Sequence, residues 1–541
     1  MNQLYYGDNL QILRDRDNFP NESVDLIYLD PPFNSNANYN VLFRSPTGER
    51  SHAQIEAFED TWHWTDEAEQ AFDEVMQSGN TDAAELLRAL RAFLKENDMM
   101  AYLTMMAVRL LELHRDLKQT GSLYLHCDTT ASHYLKLILD SVFGPTVFLN
   151  EIIWKRTHSH GNVGRNFGSI YDNILFYAKG QRYTWNKQFT QFAEEYADAR
   201  FSYKDPDGRR WQSVTLRNPG LRPNLHYPYT ASNGITYAPH PNGWSCDLER
   251  MQKYDRENRL HFPKPGGQLR LKMYLDETPG IQLQNLWENI YPVNSQAQER
   301  LGYPTQKPLP LLERIVQASS NEGEVVLDPF CGCGTAVHAA QKLNRQWIGI
   351  DITNLAISLI EKRLADAFPG IQFEVHGTPK DLDGAKALAT KDKYQFQWWA
   401  VSLVKAVPYG GKKKGADTGI DGFIYFKPDA RTTEKAIVSV KGGDNVSVAM
   451  VRDLAHVVTR EKAQMGIFIT LAEPTKPMLT EAVKEGFYET VYGKFPRLQI
   501  VTVADLLSGK RPEIPLIDRT ASGFKTAPKE DKDTEQDALP F

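Results

Sequence analysis

The chain has 541 residues, of which 41% are hydrophobic and 24% are charged, and its formal net charge at pH 7 is −6. These proportions are those of an ordinary globular protein and exclude a wholly disordered, collagen-like or coiled-coil chain. At roughly 100–200 residues per domain the length predicts about three domains, and the acidic balance taken alone does not indicate a nucleic-acid-binding protein.

The cysteine content and the lack of long apolar segments bear on the compartment. Four cysteines, Cys127, Cys246, Cys331 and Cys333, are too few for a disulfide framework and include no CxxC pair, so no structural zinc site is expected. The N-terminal segment lacks the features of a signal peptide, and no apolar stretch is long enough to span a bilayer. We therefore expect a cytoplasmic protein without a membrane partner.

The first 180 residues alternate short apolar runs with helical patterns, as an α/β sheet requires. An apolar run ends at Asp30 and is stopped by two prolines, which predicts a strand over 22–33. Residues 67–118 have a helical pattern, and the amphipathic helix predicted over 131–144 closes on a glycine, a common helix stop. Further strands are predicted over 121–128, 148–156 and 171–180.

Regular patterns are lost between 181 and 295 and return at 306. The irregular segment interleaves aromatic, Arg, Asn, Pro and Gly residues, which is typical of a loop-rich insertion with many groups able to reach a partner. Beyond it, a helix, a strand over 323–330, a glycine turn and a strand over 345–352 form a βαβα unit. This unit predicts a parallel, doubly wound sheet.

A third region predicts a compact α/β domain of its own, and the tail from 518 is rich in Lys, Asp, Glu, Thr and Pro, which favours disorder. The predicted organisation is a catalytic part in two pieces, an insertion between them, a C-terminal α/β domain and a disordered tail. Their expected bounds are 1–180 with 296–375, then 181–295, 393–508 and 518–541.

The glycine turn predicts a nucleotide-like cofactor. Gly332 and Gly334 lie between a strand and a helix, where the backbone must pass close to a ligand. Asp351 ends the next strand about 20 residues beyond the start of the turn, a position suited to binding ribose hydroxyls. The turn does not have the GxGxxG spacing, so NAD is not favoured. A tight turn that binds no ligand stays open as the alternative.

A second cluster, Asp30-Pro31-Pro32-Phe33, follows an apolar strand and is therefore expected at the carboxyl edge of the sheet. Asp30 can accept a hydrogen bond from an amino group, and the two prolines fix the backbone and leave carbonyl groups exposed. Phe33 offers a flat face on which a base can stack. The alternative is a strand followed by a plain proline turn.

DPPF at 30–33 and DPFCGCGT at 328–335 together resemble the amino-directed DNA methyltransferases. The order, with the base-holding segment first and the S-adenosylmethionine segment last, resembles the β class. GYPTQKP at 302–308 and Tyr6-Gly7-Asp8 resemble two further cofactor-contacting segments of that family. The resemblance covers about residues 1–370 and implies an α/β, Rossmann-like methyltransferase sheet with an inserted target-recognition region.

The resemblance also implies roles for single residues. Asp30 and the Pro31 carbonyl would accept hydrogen bonds from the target amino group, and Phe33 would stack on the base after it leaves the duplex. The residues that would hold S-adenosylmethionine are Asp8 at the adenine, Asp351 at the ribose, Asp328, Phe330, Gly332 and Gly334 at the methionine and sulfonium region, and Thr305 and Lys307 at the methionine end.

The first residue of the DPPF segment bears on which base is methylated. Asp in place of Ser resembles the adenine-N6 group more than the cytosine-N4 group, which implies site-specific methylation of adenine in double-stranded DNA within a restriction–modification system. The alternatives are cytosine-N4 methylation, an RNA or protein-glutamine methyltransferase, and a nuclease or DNA-binding protein with a vestigial methyltransferase half. A homodimer and a restriction-system partner both stay open.

Under this reading the segment 181–295 recognises the target sequence. Its basic side chains are candidates for contacts to guanine edges or phosphates, although a surface arginine is more often merely solvated. The candidates are Arg209, Arg210, Arg217, Arg222, Arg250, Arg270 and Lys272.

The third region resembles the Mrr-like PD-(D/E)xK restriction endonucleases over about 393–508. Asp421 begins one strand and Lys441 ends the next, a pair that would hold Mg²⁺ through Asp421 and orient a water against a phosphodiester. The sequence departs from that family at Ser439, where an acidic residue or Gln is usual.

A metal would then need another oxygen donor, for which Asp417 and Gln397 are candidates by residue type. Lys412, Lys413 and Lys414 form either a phosphate-contacting loop or a plain exposed one. The region either cuts DNA, making a fused restriction–modification enzyme, or is a degenerate nuclease fold that only binds it.

Overall fold

The computed structural model of the protein describes residues 2–32, 38–44, 50–59, 62–157, 167–262, 267–294, 297–303, 305–409, 419–429, 431–517 and 527–530. The chain divides into two compact units. The larger unit comprises Met1–Asn186 and Asn285–Glu530, and the inserted unit is Lys187–Gln284. Among the described residues, no helix combines the length and the apolar character needed to cross a membrane.

The first segment of the larger unit alternates strands and helices. Its strands are β1 (Gln3–Tyr6), β2 (Val24–Leu29), β3 (Asn38–Arg44), β4 (Arg50–Glu59), β5 (Leu117–Cys127), β6 (Phe148–Lys155) and β7 (Tyr171–Ala178). Its helices are α1 (Asn9–Leu13), α2 (Asp66–Gln77), α3 (Thr81–Leu94), α4 (Asp98–Asp116) and α5 (Ser132–Phe143).

The inserted unit is built from short strands. They are β8 (Phe189–Thr190), β9 (Tyr203–Lys204), β10 (Arg210–Thr215), β11 (Tyr229–Thr230), β12 (Thr236–Tyr237), β13 (Leu260–His261), β14 (Arg270–Tyr274) and β15 (Ile281–Gln282), with helices α6 (Glu194–Arg200) and α7 (Leu248–Arg256). An antiparallel sheet of order β13-β14-β10-β9 is its largest element. The segment predicted as loop-rich therefore has a folded core of its own, which includes Leu216, Trp244 and Met251.

The second segment of the larger unit completes the main sheet. It contributes β16 (Leu286–Trp287), β17 (Val325–Asp328), β18 (Gln346–Asp351) and β19 (Glu374–His376), with α8 (Leu309–Ser319), α9 (Thr335–Lys342) and α10 (Asn354–Ala367). The nine-stranded sheet has the order β16-β6-β7-β5-β2-β17-β18-β1-β19, in which β7 runs antiparallel to both of its neighbours and the other pairs are parallel. This arrangement confirms the predicted α/β fold class.

The centre of this sheet is β2, whose six residues are all buried, as expected for a parallel strand covered on both faces. Asp25 is the polar exception, and its carboxylate is fully used. It accepts hydrogen bonds from Lys118 Nζ at 2.9 and 2.8 Å and from the Val325 backbone N–H at 2.9 Å. The buried charge is thus paired rather than left alone.

The C-terminal region forms a second sheet within the same larger unit. The strands of this region are β20 (Val407–Pro408), β21 (Gly422–Lys427), β22 (Glu434–Lys441), β23 (Met465–Thr470), β24 (Phe487–Thr490), β25 (Gly493–Pro496), β26 (Leu498–Thr502) and β27 (Leu516–Ile517). Its helices are α11 (Leu382–Lys391), α12 (Lys393–Leu403), α13 (Val448–Arg460), α14 (Lys476–Lys484) and α15 (Val503–Leu507). The sheet has the order β20-β21-β22-β23-β26, and β27 pairs with β21. The predicted C-terminal α/β fold is present.

This region packs directly on the main sheet's helices. The Asn354 backbone N–H donates to Gln395 Oε1 at 3.1 Å in a buried position, and Trp398 of α12 joins Leu355 and Leu359 of α10 in one apolar cluster. The structure therefore shows two compact units where the sequence predicts about three domains. Apolar residues on α10 and α12 explain the difference, because they bury each other.

Part of the tail predicted to be disordered is also packed. Ala527 is buried, and the Glu530 carboxylate lies 2.9 Å from His338 Nε2 and 3.0 Å from Lys342 Nζ on α9. Burial lowers the pKa of His338 to about 4. Hydrogen bonds from His338 and Lys342 lower the pKa of Glu530 to about 2. Residues 518–526 and 531–541 lie outside the described residues.

Candidate active site

The carboxyl ends of β1, β2, β17 and β18 meet at one cavity, the position at which open α/β sheets bind ligands. Ten of the predicted site residues line it, which we call the active-site cavity: Asp8, Asp30, Pro31, Pro32, Thr305, Lys307, Asp328, Phe330, Gly332 and Asp351. Gly334 lies beside it as the N-cap of α9. Phe33 lies outside the described residues.

The glycine turn needs glycine for two separate reasons. Gly332 and Gly334 have φ angles of +49° and +73°, in the left-handed region that other residues avoid. A Cβ on Gly334 would also lie only 2.8 Å from Cγ1 of Ile360. The turn therefore keeps its backbone close to α10 and leaves the cavity side open.

Asp351 fixes this turn from the neighbouring strand. One carboxylate oxygen accepts the Gly332 backbone N–H at 2.9 Å, and the other accepts the N–H and the hydroxyl of Thr353, both at 2.8 Å. Burial raises the pKa of Asp351 to about 6, against the opposing effect of these hydrogen bonds. A ligand hydroxyl that donates to this carboxylate would favour its ionised form.

Asp328 is the most enclosed carboxyl group of the cavity. Its side chain is buried, and burial raises its pKa well above the usual range, with the nearby carboxylates Asp30 and Asp351 acting in the same direction. The Phe330 backbone N–H donates to it at 3.1 Å. A cationic ligand such as a sulfonium would relieve this crowding of negative groups.

Asp30 is paired with Lys307. The ammonium of Lys307 donates to Oδ1 at 2.7 Å and to Oδ2 at 2.6 Å, and both side chains are largely buried. The family resemblance assigns Lys307 to the methionine end of the cofactor, whereas its ammonium here contacts the base-holding carboxylate. Thr305, two residues earlier, has a φ of +61°, a strained conformation for a residue with a side chain.

Asp8 serves as the N-cap of α1. Its Oδ1 accepts the backbone N–H groups of Leu10 and Gln11 at 2.8 and 3.2 Å, and its Oδ2 accepts from Arg109 at 3.0 Å. The carboxylate is therefore held in place at the cavity wall.

Two buried arginines that sequence reasoning missed support the site. Arg109 on α4 donates to Asp8 and to Asn9, and Arg363 on α10 donates to the Cys333 carbonyl and to Thr335 Oγ1, both at 3.0 Å. A signal was present for Arg109, which stands in a run of apolar helical residues, but not for Arg363, which follows Glu361 and Lys362. A buried arginine needs hydrogen-bond partners, so the position of Arg109 indicated that acceptors lie near it.

S-adenosylmethionine fits these residues chemically. Carboxylates Asp351 and Asp8 border the cavity at the ends of adjacent strands, and the open backbone of the glycine turn lies between Asp351 and Asp328. The cofactor carries ribose hydroxyls, which need acceptors, and a sulfonium, which favours nearby carboxylates. Cys331 and Cys333 are buried, and burial raises the pKa of both thiols, so neither is an activated nucleophile.

The basic candidates of the inserted unit fall into two groups. Arg209, Arg210, Arg250, Arg270 and Lys272 each bond to a neighbour within the unit, respectively Asp276, Asp198, Tyr254, Ser213 and Asp205. Arg217 and Arg222 are exposed. The loops that carry Arg217 and Arg222 are held by backbone hydrogen bonds of Asn218 to Gly243 and of Arg222 to Asn242.

The predicted nuclease pair lies on adjacent strands, but its surroundings do not suit a metal. Asp421 Oδ2 accepts the Val440 backbone N–H at 2.6 Å, and Ser439 is buried. Within the described ranges no group of three His, Cys, Asp or Glu residues is placed to hold a metal ion. Gln397 lies on α12, and Asp417 and Lys412–Lys414 lie outside the described residues. Asp421 and Lys441 therefore do not make a Mg²⁺ site with the neighbours that are described.

We expect Gly334→Ala to destabilise the protein more than Gly323→Ala does. Both glycines have a positive φ, +73° and +79°, but a Cβ on Gly323 would meet no atom within 4 Å. Gly323→Ala should therefore cost about 1 kcal/mol of backbone strain, and Gly334→Ala about 2 kcal/mol more from the clash with Ile360. Urea unfolding measures both, and equal losses would contradict the close packing of the turn against α10.

Two family profiles match the chain. One, described as DNA methylase, matches residues 24–362. The other, described as NACHT-associated inactive Restriction Endonuclease 1, matches residues 401–500.

Curated relatives are similar to part of the chain. Type II methyltransferase M.EcaI of Enterobacter cloacae is 33% identical over 49% of this chain and 58% of its own length. The StyLTI Mod subunit, a type III restriction-modification enzyme of Salmonella typhimurium, is 28% identical over 63% and 50%. The DNA adenine methyltransferase YhdJ of Escherichia coli is 25% identical over 67% and 82%. The chain thus spans about half the length of the first two.

The methylase profile covers more than half of the chain and includes β2, Asp30, the glycine turn and Asp351, which meet at the active-site cavity. The chain belongs to the DNA methylase family.

Proposed function

We propose that this protein transfers a methyl group from S-adenosylmethionine to the N6 amino group of adenine in double-stranded DNA, as the methyltransferase of a restriction–modification system. The observation that carries the proposal is the single cavity that brings Asp30-Pro31-Pro32 together with the glycine turn and Asp351. Similarity to type II and type III methyltransferases, and to a DNA adenine methyltransferase, supports it.

When bound, S-adenosylmethionine supplies an electrophilic methyl group on a sulfonium. In this proposal Asp351 accepts the ribose hydroxyls, and Asp328 with the glycine turn lies along the methionine and sulfonium region. Asp30 and the Pro31 carbonyl accept the hydrogens of the target amine, which directs the nitrogen lone pair towards the methyl carbon. The rate gain comes mainly from this proximity and orientation.

The inserted unit would recognise the target sequence, and residues 1–180 with 296–375 would form the catalytic domain. The inserted unit is compact between Lys187 and Gln284 and has an apolar core of its own, which supports a separate role. Arg217 and Arg222 are the candidates most suited to reach DNA, because the other five basic candidates bond within the unit.

Tritiated-methyl transfer from S-adenosylmethionine to duplex DNA, followed by nucleoside analysis, tests the proposal. We expect the label in N6-methyladenine. Label in N4-methylcytosine would overturn the base assignment, and label confined to RNA or protein would overturn the substrate class. A mock purification from cells that lack this protein serves as the control for contaminating methyltransferases.

We propose further that the C-terminal region is a degenerate nuclease fold that does not cut DNA. Ser439 stands in place of an acidic ligand, and Asp421 accepts a backbone N–H of the neighbouring strand. Similarity to a family described as inactive restriction endonucleases favours the same reading.

Incubation with supercoiled plasmid and Mg²⁺ tests this second proposal, using unmodified and pre-methylated DNA in parallel. We expect intact plasmid in both, from a preparation that methylates DNA. Linear or nicked product that disappears in Lys441→Ala protein would show that the region is a working nuclease.

A further inference from the structure

The pair formed by Asp30 and Lys307 joins two distant parts of the chain. Asp30 follows β2, and Lys307 precedes α8, on opposite sides of the inserted unit in sequence. The Lys307 ammonium lies 2.7 and 2.6 Å from the two oxygens of Asp30, and the side chains are 9% and 19% exposed. Such a short, largely buried contact fixes the plane of the carboxylate.

A carboxylate held in this way still has acceptor capacity. Its two oxygens offer about four lone-pair sites, of which one ammonium at this position occupies one on each oxygen. The remaining sites are those an incoming amino group would need. Lys307 therefore orients the Asp30 carboxylate without occupying all of its acceptor sites.

The alternative place for the ammonium, the methionine carboxylate of the cofactor, would leave Asp30 without this partner. Asp328 already lies nearby as a second acidic group, and mutual repulsion disfavours two ionised carboxylates in one enclosed site. The Lys307 ammonium, which contacts both oxygens of Asp30, offsets this repulsion.

We propose that Lys307 is a positioning residue for Asp30, which orients the carboxylate towards the target amine and makes little contribution to cofactor affinity. This inference rests on the proposed function, because it assigns Asp30 to the target base. It moves Lys307 from the cofactor group, where the family resemblance places it, to the base-holding group.

The test compares Lys307→Met, Lys307→Arg and the matched control Lys118→Met. Lys118 binds both oxygens of Asp25 at 2.9 and 2.8 Å in the same sheet, and Asp25 does not line the cavity. We expect Lys307→Met to lower the single-turnover rate at saturating cofactor by about 100-fold, as a misplacement of about 1 Å does. Lys307→Arg should restore part of the rate. The cofactor dissociation constant should stay within about threefold, and Lys118→Met should leave the rate within about twofold.

A double-mutant cycle separates action through Asp30 from independent action. In an Asp30→Asn background, Lys307→Met should lower the residual rate by less than about threefold, because its target carboxylate is already gone. An effect as large as in the wild-type background would overturn the inference. So would a cofactor dissociation constant raised tenfold or more with an unchanged saturated rate.

Folding is checked on the same samples by thermal unfolding and by cofactor binding. Where Lys307→Met fails to fold, Lys307→Gln takes its place in the cycle with the same expected and contrary outcomes. Wild-type protein reports on the proposed function by itself. Absence of DNA methylation there overturns that function and this inference together, whereas active wild type with an additive cycle overturns the inference alone.

Discussion

Asp30→Ala is expected to reduce methyl transfer to DNA by about a thousandfold while the dissociation constant for S-adenosylmethionine stays within about threefold of wild type. The substitution removes the acceptor that orients the target amine but leaves Asp351 and the glycine turn intact. Single-turnover methylation and equilibrium titration with cofactor measure the two quantities separately.

Asp30→Asn is the matched variant, because it keeps the size of the side chain and removes its charge. Both variants leave the Lys307 ammonium buried without a carboxylate, and a broken buried pair costs about 3 kcal/mol. The amide oxygen of Asn can still accept a hydrogen bond from Lys307, whereas Ala offers no acceptor. Urea unfolding should therefore show a larger stability loss for Ala than for Asn, with similar losses of rate. Loss of cofactor binding in a folded Asp30 variant would contradict the assignment of Asp30 to the base.

Asp351→Ala is expected to raise the dissociation constant for S-adenosylmethionine by about 100-fold, since hydrogen bonds to a charged group contribute about 1.5–3 kcal/mol each. The substitution also removes the acceptor of the Gly332 N–H, which lies at 2.9 Å, and so loosens the turn. Titration calorimetry measures the change. Asp247→Ala, which removes a carboxylate that accepts a backbone N–H at the start of α7 and does not line the cavity, is the control. Unchanged affinity in a folded Asp351→Ala protein would place the ribose elsewhere.

The pH dependence of binding follows from the same residue. Burial raises the pKa of Asp351 to about 6, and only the ionised form is a full acceptor for ribose hydroxyls. Affinity should therefore fall about tenfold between pH 7 and pH 5. Asp351→Asn should abolish this dependence, and Asp328→Asn identifies any separate contribution from Asp328. The stability of the protein measured without cofactor has the opposite pH dependence. Because folding raises the pKa of Asp351, the contribution of this residue to the free energy of unfolding grows as the pH falls through 6.

Local sequence patterns predicted the sheet, and together with the family resemblance they named ten of the residues that line the cavity. A strand that ends in Asp-Pro-Pro and a glycine turn between strand and helix are short-range signals, and the rule for carboxyl edges places both at one site. The pairing of Asp30 with Lys307 is different. It joins residues that are far apart in the chain, and nothing local to Lys307 indicates which carboxylate its ammonium reaches.

The basic residues show the same limit of prediction from local sequence. Sequence composition could name seven basic candidates in the inserted segment, but it could not tell which of them bond within the unit. Partners such as Asp276 for Arg209 and Asp205 for Lys272 lie about 67 residues away in sequence. Burial of Arg109 depends in turn on how α4 packs against α1. The bonding partners and the burial both depend on tertiary packing, which the local sequence pattern does not indicate.

The position of β1 in the sheet sets the order in which the protein can fold during synthesis. This strand begins at Gln3, yet it pairs in parallel with β18 and with β19, whose last residue is His376. β1 must therefore remain without its partners until β18 and β19 have been synthesised. Asp8 and Asp351 come together only then. A nascent chain that lacks β18 cannot assemble the cavity, so activity should appear only after this strand has left the ribosome.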